Sequence, residues 1–299
     1  MAIMPVVVGV DGSEESMLAV QWAAREAAWH GAPLRIVSAA AVPPCTRLPG
    51  ALPPAVADAL RAISVRALGE AATRAADVTN GLIIDTDLLT ASPALAGTPP
   101  VAVSASGAGA QMLVVGARGA GGFAAMLLGS VSGYAAAHAP CPVVVTRMAT
   151  SAASREVAVG LRDLHDADAI LGFAFEEAAL RGASLVAVHS CYWLPAGLWG
   201  PGASEATRRA GIDAEQACAE VGRDLADVLA RWQDKYPAVP VRLDVVHGHP
   251  ARMAASYSAH VELVVIGRGG DPATGPAIAA VQQAALEHAR GPVAVVPVP

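Results

Sequence analysis

The stretch "VVGARGAGGFAAMLLGSVSGYAAAHAPCPVVVT", Val114 to Thr146, combines glycines at the end of an apolar run with small hydroxyl residues further on. Two residues lie between Gly116 and Gly119, and nine separate Gly119 from the pair Gly129-Ser130, where a helical pattern begins. The first peptide N–H groups of a helix have no internal partner, and the helix dipole is positive at that end. Glycines beside such an end let backbone approach a ligand closely. The combination suits an anion, and a phosphate in particular. Ser130 can donate a hydroxyl hydrogen bond there, and Ser132 can reach the same phosphates or a metal ion. Arg118 is the only basic residue of the loop. Asp11, at the end of the first apolar run "VVVGVDGS", is a matching acceptor for a base or ribose.

Other chemistries fit the same residues less well. Gly129-Ser130-Val131-Ser132-Gly133 matches the G-x-S-x-G pattern of a serine hydrolase, but a nucleophile elbow needs a strand immediately before the serine. Here the apolar strand pattern ends at Gly116, and "FAAMLL" intervenes. A Walker A loop is excluded because no G-K-[ST] follows the glycines. A dinucleotide fingerprint would follow the first strand, where only "GVDGS" stands. Efficient phosphoryl transfer generally employs a lysine, an arginine finger or an acidic base, and the loop has none of these beyond Arg118. No residue is therefore assigned a catalytic role, and no resident metal is expected. His247-Gly248-His249 lacks a nearby third ligand and reads as a polar loop. His138 and His288, each ahead of a final strand, read as residues at helix C-termini, where the dipole favours them.

A repeat shows which elements position these residues. "VVVGVDGSEESMLAVQWAAREAAWHGAPLRIVSA" from Val6 resembles "VAVGLRDLHDADAILGFAFEEAALRGASLVAVHS" from Val157, with Gly9, Gly31, Ala32 and Leu34 recurring 151 residues later. "MLVVGARG" is echoed by "LVVIGRGG", and "HAPCPVVV" by "HARGPVAV", the last at an offset of 150. One residue is therefore missing from the second copy between Gly267 and His288. Strands are predicted near Pro5–Val10, Leu34–Ala39, Leu82–Leu89, Met112–Gly116 and Pro142–Thr146, and again near Glu156–Leu161, Leu185–Ser190, Val239–Val246, Glu262–Ile266 and Pro292–Val298. In the first copy helices fall between them near Glu14–Trp29, Ala55–Ala76, Val101–Ser106 and Leu128–Ala137. Uniformly apolar strands separated by helices imply parallel sheets covered on both faces. In such a sheet ligands bind beyond the carboxyl ends of strands, where the winding direction reverses. If strands one and four are neighbours there, Asp11 and the glycine loop face one crevice. "MATSAASRE" reads as a linker, and the proline-rich "AVPPCTRLPGALPPA" and "YWLPAGLWGPGA" as surface connections.

Composition narrows the function classes. The 299 residues suit two domains. A formal charge of −6 and few aromatic residues (4%) provide neither an electrostatic footprint nor a stacking platform for nucleic acid. No apolar run reaches the ~18 residues that would span a bilayer. The N-terminus lacks the basic region of a signal peptide, so a cytoplasmic location is expected. Cys45, Cys141, Cys191 and Cys218 form no C-x-x-C and are expected to be free thiols, with neither a zinc site nor a disulfide framework.

The constellation resembles the ATP-binding branch of the universal stress protein family, whose pattern G-x2-G-x9-G-[S/T] is matched by Gly116, Gly119, Gly129 and Ser130. Asp11 matches the family's acidic residue after the first strand. Ala39 matches the position whose backbone contacts adenine. The resemblance covers essentially the whole chain. It implies two tandem flavodoxin-like doubly wound α/β domains, similar to adenine nucleotide alpha hydrolases, each with a five-stranded parallel sheet, over residues 1–149 and 155–299. It implies ATP, with or without Mg2+, held by Asp11, Ala39, Gly116, Arg118, Gly119, Gly129, Ser130, Val131 and Ser132. The implied role is regulatory, in stress adaptation or growth arrest. The alternatives are a slow ATPase or autophosphorylating enzyme, and an interaction protein with a vestigial site. It also implies that the two domains pair as a pseudo-dimer, and that the chain forms a homo-oligomer. The second copy departs from the pattern: Arg162 stands at the position of Asp11, and Ala279-Ala280 at that of Gly129-Ser130. The intact nucleotide site is therefore expected in the first domain, with a degenerate one in the second.

Overall fold

The computed structural model describes residues 3–39, 54–89, 99–119, 127–147, 154–162, 167–191, 205–268 and 276–298. The second proline-rich connection, all of the first but Pro54-Ala55, and most of the linker lie outside them. The chain divides into two compact units, Met1–Ala149 with Pro292–Pro297, and Thr150–Gly291 with Val298–Pro299.

In the first unit the order is β1 (Val6–Val10), α1 (Glu14–Trp29), β2 (Leu34–Ala39), α2 (Pro54–Val78), β3 (Ile84–Leu89), α3 (Pro99–Ala105), β4 (Met112–Gly116), α4 (Ser130–His138) and β5 (Val143–Thr146). The strands run β3-β2-β1-β4-β5, all parallel. Val6, Val7 and Val8 are each fully buried. Consecutive strand residues point to opposite faces, so this burial requires a helical layer on both sides. Each such valine contributes about 1.5–3 kcal/mol through removal from water. α1 packs with α2, and α3 with α4. The edge strand β3 has no fully buried residue, with Asp85 and Thr86 exposed, and its Asp87 is paired with Arg35 at 2.6 Å.

The other edge is covered. The last strand of the chain, β10 (Val293–Pro297), pairs antiparallel with β5, with Val293 opposite Val145 and Val295 opposite Val143. Val143, Val144 and Val145 are consequently buried, and the unpaired backbone of an apolar edge is removed.

The second unit repeats the plan with β6 (Glu156–Leu161), α5 (Ala167–Arg181), β7 (Ser184–Cys191), α6 (Glu205–Lys235), β8 (Val241–His247), α7 (Pro250–Tyr257), β9 (Leu263–Arg268) and α8 (Pro276–His288). Its parallel strands run β9-β6-β7-β8. Both units are thus doubly wound α/β structures. In each, the first strand lies between the second and the fourth, where the winding reverses.

The cysteine expectation is corrected. Cys191 and Cys218 form a disulfide with a Cα–Cα distance of 6.1 Å. Cys191 ends β7 and Cys218 lies on α6, so layer packing joins residues 27 apart that no short motif connects. Cys141 is a buried free thiol. Cys45 lies outside the described residues.

Candidate functional site

β1 ends at Val10, and Asp11 follows, exposed, at the carboxyl edge of the sheet. Its Oδ1 accepts hydrogen bonds from the Ser13 N–H (3.0 Å) and the Ser13 hydroxyl (2.6 Å), closing a turn through Gly12 at φ +84°. Ser13 caps α1, its Oγ accepting from the Ser16 N–H at 3.2 Å. "DGSEES" thus both ends the strand and starts the helix, and the turn holds the Asp11 carboxylate over the sheet edge.

β4 ends one strand away, with Gly9 opposite Val115. A Cβ on Gly116 would stand 3.0 Å from the backbone C and O of Glu15. Only glycine lets this strand end pass so close beneath the start of α1. The chain then turns under a clamp that the glycine spacing does not reveal. The Glu15 carboxylate accepts from the Arg118 N–H (2.7 Å) and Nε–H (2.8 Å), and pairs with Nη2 at 2.6 Å. Glu15 is mostly buried and Arg118 is half-exposed, so the clamp fixes the loop while leaving the guanidinium at the surface. A Cβ on Gly119 would collide with Oδ2 of Asp11. The acidic residue and the second glycine are therefore in direct juxtaposition.

Gly129 caps α4 with extended backbone (φ −76°, ψ 159°) and no side-chain cap. Its N–H donates to the Ala117 carbonyl at 2.8 Å. Ser132 is buried, with its hydroxyl 2.9 Å from the Ala117 oxygen and 3.1 Å from that of Gly129. These bonds tie the helix start to the end of β4. Ser130, the first helical residue, is exposed, and Val131 is half-buried. Ala39 ends β2 on the other side of β1, opposite Leu89. Across the sheet edge the order is therefore Ala39, Asp11, then the Gly116–Gly119 turn with α4 behind it. The described geometry brings these residues to one carboxyl edge of the sheet. Ser132 differs from the rest, because its hydroxyl is held inward by backbone carbonyls.

At the equivalent edge of the second unit, Arg162 follows β6 where Asp11 follows β1. α8 begins at Pro276 rather than at the position matching Ser130, so Ala279 and Ala280 lie inside the helix instead of at its start. The N–H of residue 280 belongs to the helical ladder, whereas that of Ser130 lies in an uncapped first turn. His249 is the N-cap of α7, its ring accepting from the Ala251 N–H. His138 Nδ1 lies 2.9 Å from the Tyr134 carbonyl in the last turn of α4. Among the described residues no helix is long and apolar enough to cross a membrane.

Fold and site together define a duplicated, doubly wound α/β protein with a glycine-rich turn beside Asp11 at the winding reversal of its first unit. The model of the universal stress protein family matches residues 3–147 and again 154–297. The chain belongs to that family. A universal stress protein of Mycobacterium tuberculosis H37Rv is 35% identical over 97% of this chain and 96% of its own length. Among solved structures, a universal stress protein from Archaeoglobus fulgidus covers 99% of this chain and 96% of its own, with a TM-score of 0.69 at 16% identity. Another from the same organism, solved in complex with dAMP, is 25% identical over 49% of this chain and 100% of its own, with a TM-score of 0.36.

Proposed function

We propose that the first unit binds ATP, with or without Mg2+, and that the protein is a nucleotide-dependent regulator of stress adaptation or growth arrest. The observation that carries this reading is the juxtaposition of the Asp11 carboxylate with Gly119, beside the uncapped start of α4 at Gly129. The phosphates lie against the N–H groups of Ser130, Val131 and Ser132, with the Ser130 hydroxyl as an added donor. Arg118 supplies positive charge from the position Glu15 gives it. Asp11 and the Ala39 backbone face the nucleoside. Ser132 serves through its N–H, while its hydroxyl positions the helix. Among the described residues the site presents no lysine, and its carboxylates are engaged, Asp11 by the turn at Ser13 and Glu15 by the clamp on Arg118, which favours binding over turnover. The reading includes a cytoplasmic location and self-association of the chain.

Titration calorimetry with ATP tests this. One nucleotide per chain is expected, with Asp11→Ala and Ser130→Ala each weakening binding about tenfold, roughly 1.4 kcal/mol. Absence of binding at millimolar ATP overturns the reading. Two equivalent sites per chain overturn its assignment to the first unit. Sustained ATP hydrolysis lost in Ser130→Ala overturns the regulatory assignment.

A further inference from the structure

The second unit contains a cavity of about 200 Å3 between its sheet and the α7–α8 layer, with Gly160, Val188 and Ile266 on the sheet side and Met253, Ala254 and Ala285 on the helix side. The first unit shows why it is open. The 151-residue offset that aligns Gly9 with Gly160 also aligns Val103 with Ala254. Val103 is buried, and its Cγ1 stands 3.0 Å from where a Cβ on Gly9 would be. A valine of α3 therefore fills the space above the strand glycine in the first unit. Above Gly160 the same position carries alanine, and the nearest atom to a Cβ there is Ile266 Cγ2 at 3.4 Å, from the neighbouring strand. The loss of two methyl groups opens the layer from the helix side.

Two hydroxyls that line this space are bonded within the protein. The Ser190 hydroxyl donates to the Gly248 carbonyl, and the Tyr257 hydroxyl donates to Asp244 at 2.7 Å. Burial and that bond push Tyr257 up to about 12, so it is neutral at physiological pH. The interior thus suits an apolar body. The mouth differs. Arg162 lines it, and Arg268 ends the adjacent strand two residues beyond the Gly160–Ile266 pair, where the first unit has Asp11 and Ala117. Among the described residues, the exposed acid that follows the first strand of the first unit is replaced by an exposed arginine.

We propose that this cavity binds a small hydrophobic monocarboxylate, its apolar body between Gly160 and Ala254 and its carboxylate at Arg162. A cavity of ~150 Å3 accommodates a benzene ring, so the space matches one ring or a short branched chain. A nucleotide does not suit it, because the helix start that would face phosphates is displaced and the acidic partner for a nucleoside is gone. The second unit is then a ligand site of different chemistry, independent of ATP in the first.

Calorimetry and ligand-observed NMR with phenylacetate test the proposal on the full chain. Saturable binding is expected, abolished by Ala254→Phe and preserved in Asp11→Ala. Ala285→Val, a smaller intrusion from the opposite helix, weakens it severalfold and serves if Ala254→Phe fails to fold. Arg162→Gln weakens phenylacetate about tenfold while leaving the neutral analogue benzyl alcohol unchanged. The proposal is overturned by absence of saturation at millimolar phenylacetate, by binding indifferent to the cavity variants, or by displacement of phenylacetate with ATP. The last result would make the cavity a nucleotide subsite. The roughly tenfold weakening of ATP by Asp11→Ala, measured in parallel, reports on the first unit alone.

Discussion

Gly116 and Gly119 belong to one motif but serve different ends. At Gly116 a methyl group meets the backbone of Glu15, which α1 holds rigidly. At Gly119 it meets only the end of the exposed Asp11 side chain, which can swing away. Gly116→Ala should therefore destabilise the first unit by about 1–3 kcal/mol, as overpacking does, measured by urea denaturation. Gly119→Ala should change stability by no more than ~0.5 kcal/mol yet weaken ATP, because Asp11 must leave its place over the turn. Equal effects of the two on stability would refute the distinction. The glycine spacing was readable because it is local and chemically constrained. The Glu15–Arg118 clamp was not, because it joins residues 103 positions apart and neither belongs to a recognisable pattern. The inward turn of the Ser132 hydroxyl follows from the helix start being pinned to Ala117, which is likewise a tertiary fact.

Most elements were legible from periodicity. The predicted β2, β4, β6 and α1 coincide with the observed spans, and other boundaries move by one or two residues. Uniformly apolar runs of four to six residues between longer helical patterns leave few alternatives. The early start of α8 was not legible, since an alanine-rich segment has nothing in its side chains to mark where a helix must begin. Helix α5 carries a buried ion pair that amphipathic reading also overlooks. Arg181 pairs with Glu177 one turn earlier, both side chains almost fully inaccessible, and its Nε lies 3.8 Å from Glu262. Arg181→Ala should cost about 3–5 kcal/mol by taking the arginine from a buried carboxylate, whereas Glu177→Gln with Arg181→Met should cost much less. Chemical denaturation of the two variants checks this, and comparable losses would show that packing rather than charge dominates.

At the scale of the molecule, the antiparallel pairing of β10 with β5 closes an apolar edge. Ending the chain at Gly291 would expose the backbone of Val143, Val144 and Val145. Such an edge recruits other strands, so the shortened protein should show a higher mass than the full chain in light scattering at equal concentration. An unchanged mass and thermal midpoint would mean that β5 tolerates exposure. Both paired strands are uniformly apolar, "PVVVT" and "PVAVVPV", which is why neither suits an open edge. The disulfide between Cys191 and Cys218 belongs to the same scale, invisible in spacing because helix α6 brings its cysteine over the end of β7.

The sequence by itself determined the duplication, the alternation of strands and helices, the glycine pattern and the loss of that pattern in the second copy. All of these are carried by local residue types and by a repeat offset, and need no knowledge of what packs against what. Only the tertiary structure decided that Asp11 lies over Gly119, that Glu15 holds Arg118, and that alanine in place of Val103 leaves a cavity above Gly160. These depend on side chains from separate elements meeting across a packed layer, and the two methyl groups of one valine there decide whether the space is filled or open.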